Sequence, residues 1–167
     1  YKDLTGHTVL KDVITPFCPE GSLQAADENT RGELAGKACS ILMKDLWLAR
    51  LSRPDIHRPI CELATRLQCW SRNDDRRVHR LMCYMSSSAS YRLVGRVNDL
   101  PKDLKLLLFA DADLCGNALT SRSTSGGFLV LAGPDTWFPL MWISKRQTAT
   151  SISTTEAEMV SLATALF

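Results

Sequence analysis

Apolar and polar residues follow one period in the middle of this chain and another towards its end. Over residues 1–35 no period holds, and pieces such as Pro16-Phe17-Cys18-Pro19 and Asp27-Glu28-Asn29-Thr30 predict irregular, turn-rich chain. From Ala38 onward Ile41, Leu42, Leu46, Leu48 and Ala49 make a broad apolar helical face, which stops before Ser52-Arg53-Pro54. Pro54-Asp55 predicts a new helix start, because proline suits the first turn and an aspartate there complements the helix dipole. Ile56, Ile60, Leu63, Ala64 and Leu67 then recur at helical spacing, with Pro59 able to delay the true start. A third helix is predicted from Asp74 or Asp75 to Ser86-Ser87-Ser88. Val78, Leu81, Met82 and Met85 line one of its faces, and Arg76, Arg77 and Arg80 the others.

After Asn98-Asp99-Leu100-Pro101 the period changes. Apolar runs over 104–110, 127–132 and 136–144 have strand length. The Gly133-Pro134-Asp135 turn and the Arg122-Ser123-Thr124-Ser125-Gly126 connection favour antiparallel hairpins. A last helix is predicted from near Ser153, with Met159, Leu162, Ala163 and Leu166 as the face that packs on the sheet. The expected fold class is α/β in the α+β sense, a small helical unit followed by three antiparallel strands and one helix. The expected divisions are an irregular segment 1–35, a helical region 36–100 and a strand-rich region 101–167.

Composition narrows this picture only slightly. With 45% hydrophobic and 23% charged residues the chain suits a folded globular protein, and no apolar run approaches the roughly 20 residues of a membrane span. Tyr1-Lys2-Asp3-Leu4 carries neither an initiator Met nor a secretion signal, so a piece of a longer, non-secreted protein is expected. The six cysteines form no C-x-x-C pair, and the histidines stand apart from them. Most are therefore expected to be small core residues in a reduced compartment.

Charge is informative through its distribution. Ten arginines and no lysine lie between Arg50 and Arg96, against four acids, a local +6 in a chain whose total is +2. Such a stretch suits either a phosphate backbone or a solvated helical face.

Two features offer chemistry. Asp111 stands where a buried apolar strand meets its loop, a costly place for a carboxylate without a partner or a metal. Ser153-Thr154-Thr155-Glu156-Ala157-Glu158 opens the last helix. Ser153 to Glu156 has the spacing of a capping box, which would occupy Glu156 with the cap's N–H and leave Glu158 beside the packing face. Asp111 and Glu158 could then meet at a magnesium ion, which takes oxygen ligands and keeps several waters. A surface aspartate and ordinary helix-start glutamates fit the same spacing, and the order of Glu156 and Glu158 stays open at this point.

Phe109-Ala110-Asp111-Ala112-Asp113, Arg122-Ser123-Thr124-Ser125-Gly126, Trp142-Ile143-Ser144-Lys145-Arg146-Gln147 and Ser153-Thr154-Thr155-Glu156-Ala157-Glu158 together resemble the ribonuclease H domain of copia-type retrotransposon polyproteins. Upstream, Ser52-Arg53-Pro54-Asp55-Ile56 is similar to a segment of the connecting region that follows the reverse transcriptase in that family. The resemblance covers about residues 34–167, and by position it implies that segment 1–35, which carries no motif of the family, is the end of the reverse transcriptase part. It implies hydrolysis of the RNA strand of RNA–DNA hybrids with two magnesium ions, Asp111 and Glu158 as catalytic metal ligands, and Thr154 and Thr155 near the scissile phosphate. Arg122, Lys145 and Gln147 are implied backbone contacts. The implied partners are an RNA–DNA hybrid or other nucleic acid and the rest of the polyprotein, in cytoplasmic virus-like particles or the nucleus.

The departures carry their own expectations. The family's third acid lies on a fourth strand after this helix and a fourth acid lies further on, so the chain as given is expected to be inactive as a nuclease. The first strand is expected to have an open apolar edge and the chain to be poorly soluble. Leu114-Cys115-Gly116 replaces the usual Trp-Ala-Gly, and no polymerase Tyr-x-Asp-Asp motif occurs.

Overall fold

The computed structural model describes residues 1–7, 9–116 and 121–166. They form helices and a three-stranded antiparallel sheet, in two compact units, Tyr1–Arg92 and Leu93–Phe167. No helix among the described residues is long and apolar enough to cross a membrane.

The first unit is helical, with α1 (Lys2–Thr5), α2 (Ala25–Glu28), α3 (Ala38–Leu51), α4 (His57–Ala64) and α5 (Arg72–Ser87). Pro54–Ile56 forms a single 3-10 turn before α4, so the proline-rich start delays the regular helix by three residues. Ile41, Leu42, Ile56, Ile60, Leu63, Val78 and Leu81 are buried together, which follows from the helical spacing of these apolar residues. The third long helix starts at Arg72, two residues before the earlier of the two expected starts. Ser71 is its cap and Asp74 its third residue, and each side chain bonds the other's backbone N–H.

Four arginines of the stretch, Arg53, Arg66, Arg76 and Arg77, form ion pairs inside this unit. Asp74 is fully buried and is paired with Arg66 and Arg77. Arg66 and Arg77 reach on to Glu28, Arg76 pairs with Asp27, and Arg80 bonds the carbonyl and hydroxyl of Thr15. The neighbouring Asp75 accepts from the backbone N–H of Glu33 at 2.6 Å and of Leu34 at 3.2 Å, and from the Trp70 indole at 2.7 Å. Segment 1–35 is thus held onto α5 by polar bonds from residues that have no apolar period of their own. Gly32 sits where a Cβ would meet the Ser71 carbonyl oxygen at 2.5 Å, so only glycine lets this segment run so close to the start of α5.

The second unit contains β1 (Lys105–Asp113), β2 (Thr124–Gly133), β3 (Thr136–Arg146) and α6 (Thr154–Leu166), with sheet order β1-β2-β3. Each strand is longer than its apolar run, and β1 continues through Asp111 to Asp113. Among the described residues β1 pairs only with β2, so its other edge is open. Leu106 is 63% and Phe109 50% exposed.

Two expectations are corrected. Only Cys83 of the six cysteines is buried; Cys18 and Cys61 are half-buried, Cys39, Cys69 and Cys115 are exposed, and all six thiols are free. An apolar sequence neighbourhood did not predict which helical face a cysteine would take. The packing face of α6 also differs: Ala157 and Ser161 are buried against the sheet, whereas Met159 is 69% and Leu162 47% exposed. The reason is clearance. A Cβ on Gly127 would stand 3.1 Å from the Cβ of Ala165, so the helix lies too close to β2 for larger side chains between them.

Candidate functional site

Strand register gathers the four motifs at one end of the sheet. Asp113 pairs with Thr124, Asp111 with Gly126, Ser125 with Lys145 and Gly126 with Ser144. The start of α6 is fastened to the same end by Gln147. This residue is buried, and its amide donates to the carbonyl of Ala157 at 2.9 Å and to Ser125 Oγ at 3.1 Å. Ser151 Oγ donates to its side-chain oxygen at 3.1 Å. Gln147 therefore joins β2, the loop after β3 and α6, and its side chain is turned inward, away from any nucleic acid at the surface.

Ser161 sets the position of α6 on the strands. Its hydroxyl lies 2.6 Å from the Asp111 carbonyl and 3.2 Å from the Gly126 carbonyl. Glu158 stands three residues earlier, about one helical turn away. Ala110 and Gly127 lie on the face against which α6 rests, and strand alternation puts Asp111 on the opposite face. Asp111 is thus on the face away from α6, and no contact joins its carboxylate to that of Glu158 among the described residues. Both are exposed, and neither has a hydrogen-bond or ion-pair partner among the described residues.

The neighbouring acids are occupied. Asp113 accepts from the backbone N–H of Thr124. Glu156 is the third residue of α6: its backbone N–H donates to Ser153 Oγ at 3.2 Å, and its carboxylate accepts from Ile152 N–H at 2.7 Å. This is a capping arrangement whose return bond falls one residue before the cap, where the sequence pattern placed it on the cap itself. It leaves Glu158 as the unoccupied glutamate of the pair.

Thr154 and Thr155 are the first residues of α6 and are exposed, Lys145 is exposed on β3, and Arg122 is half-buried just before β2. Among the described residues no group of three His, Cys, Asp or Glu side chains is placed to hold a metal ion. Asp111 and Glu158 are oxygen donors of the kind magnesium takes, and two carboxylates fall short of a site for two ions. Ser161 and the latch function of Gln147 were missed from sequence. The available signal was a serine among the apolar residues of the helix, with a glycine pair on β2.

No protein-family model, curated protein or solved structure matches this chain.

Proposed function

We propose that the second unit is the first half of a ribonuclease H-like domain from a copia-type retrotransposon polyprotein, and that in the first unit residues 36–92 belong to the connecting region before it and residues 1–35 to the end of the reverse transcriptase part. The complete domain hydrolyses the RNA strand of an RNA–DNA hybrid. In this reading Asp111 and Glu158 supply two of its metal ligands, for magnesium. Thr154, Thr155, Arg122 and Lys145 face the hybrid, and the protein works in cytoplasmic particles or the nucleus. The observation that carries the proposal is the docking of α6 by Ser161 onto the Asp111 carbonyl, which ties the helix that bears Glu158 to the strand that bears Asp111. The four motifs meeting at one end of the sheet support it further.

Two carboxylates do not make the two-ion site, so the chain as given is proposed to have negligible nuclease activity. A second reading is a non-catalytic nucleic-acid-binding remnant, or a decayed element. It is favoured by the exposed Lys145, Thr154 and Thr155 beside an incomplete acid set.

The test is to read the transcript through the codon for Phe167 and express the chain with the coding sequence that follows. Magnesium-dependent cleavage of a hybrid, lost in Asp111→Asn and Glu158→Gln, supports the nuclease reading. A frame that closes at once, with salt-sensitive binding of nucleic acid by the chain, supports the second.

A further inference from the structure

The first unit contains a cleft of about 680 Å³ between segment 1–37 and α5, within the size range of small-molecule sites. One wall is aromatic. The rings of Tyr1 and His7 are stacked at 6.4 Å and 14°, and His7 lies 4.6 Å from His79. Another part of the lining is cationic, from Lys11, Lys37 and Arg80. Lys11 and Lys37 have no ion-pair partner among the described residues, and Arg80 bonds only the neutral oxygens of Thr15. Of the two acids in the lining, the carboxylate of Asp75 is already taken by two backbone N–H groups and the Trp70 indole, which leaves Glu33 alone to offset these charges.

We propose that this cleft binds a nucleoside monophosphate, with the base against the Tyr1–His7–His79 wall and the phosphate held by Lys11, Lys37 and Arg80. The proposal is independent of the reading of the second unit. Flat rings beside uncompensated cations suit a ligand that joins a π-face to a compact anion.

His79 reports on the same field. Its Nδ1 is 2.9 Å from the Tyr1 hydroxyl and its Nε2 3.5 Å from the Cys83 thiol, and His7 and Lys11 face it from the N-terminal segment. Burial, then the charges of His7 and Lys11, push its pKa below the ordinary histidine value. A phosphate bound beside these cations screens them, so the ligand raises the pH at which His79 titrates.

The experiment is calorimetric titration of the full chain at pH 7 with adenosine monophosphate, adenosine and inorganic phosphate, accompanied by NMR titration of the His79 ring. The nucleotide is expected to bind at least tenfold more tightly than either of its parts. The double variant Lys11→Ala, Lys37→Ala is expected to lose at least tenfold, and both lysines are exposed, so the fold is kept. The His79 midpoint is expected to rise when the nucleotide is present. Adenosine or phosphate binding as tightly as the nucleotide, native affinity in the double variant, an unmoved His79 midpoint or no binding at all would each overturn the proposal.

Discussion

The hydroxyl of Ser161 donates to the main-chain carbonyl of Asp111 at 2.6 Å, which ties the middle of α6 to the strand that carries the candidate catalytic aspartate. Removing it leaves two carbonyls without this donor. Ser161→Ala is expected to cost the second unit about 1–2 kcal/mol, and Gly127→Ala, whose new Cβ would meet Ile143 at 2.9 Å and Ala165 at 3.1 Å, about 1–3 kcal/mol. Urea denaturation of each variant measures both. Unchanged midpoints would mean that α6 is held elsewhere.

Gln147 and Lys145 separate a latch from a surface contact. Gln147→Leu strips partners from Ala157, Ser125 and Ser151 in a buried place and should destabilise by about 2–4 kcal/mol. Lys145→Ala, at an exposed position, should stay within about 0.5 kcal/mol while weakening nucleic-acid binding. Thermal melts and a salt-dependent binding assay read the two effects separately. A Gln147 variant that melts normally yet binds poorly would reverse the assignment.

Asp45 makes a prediction of opposite sign to most carboxylates. One of its oxygens is buried without a partner, and burial pushes its pKa up to about 6. The folded state therefore holds the proton more tightly than the unfolded one, and stability is lost as pH rises from about 4 through 6. A shift of this size corresponds to roughly 3 kcal/mol, which partial exposure reduces to about 1–2 kcal/mol. Asp45→Asn should be more stable than the parent by that amount at pH 7 and no more stable at pH 3.5. Asp74 is held below the ordinary carboxylate range: burial would raise it, but the hydrogen bonds from Arg66, Ser71 and Arg77 outweigh that. It loses its contribution as pH falls below about 4 in parent and variant alike, so the difference between them isolates Asp45.

The open edge of β1 should govern solubility. Leu106 and Phe109 are half or more exposed on a strand whose outer backbone groups have no partner strand among the described residues. Light scattering should show association that grows with concentration, and Leu106→Lys should suppress it by charging the edge. A parent chain that stays monodisperse at high concentration would contradict this.

Much of the fold was legible because local chemistry and packing agreed. Ile56, Ile60 and Leu63 are buried at their helical spacing, and the hairpin turn at 133–135 joins β2 to β3 where glycine and proline placed it. The miss on α6 has a physical cause: period ranks residues by hydrophobicity, while the sheet selected small side chains that let the helix come close, Ala157, Ser161 and Ala165 over Met159 and Leu162. The ties of Asp27, Glu28 and Asp75 were invisible for another reason. Ion pairs and hydrogen bonds between residues so far apart in the chain leave no periodic trace. At the candidate site Asp111 and Glu158 could be named from the sequence, but the serine that ties α6 to the Asp111 strand could not.

Manganese relaxation NMR on the isotopically labelled full chain tests most directly whether Asp111 and Glu158 form a divalent-cation site. The account predicts line broadening centred on residues 111 and 158 that disappears in Asp111→Asn. Broadening centred elsewhere, or left intact by that substitution, would contradict it.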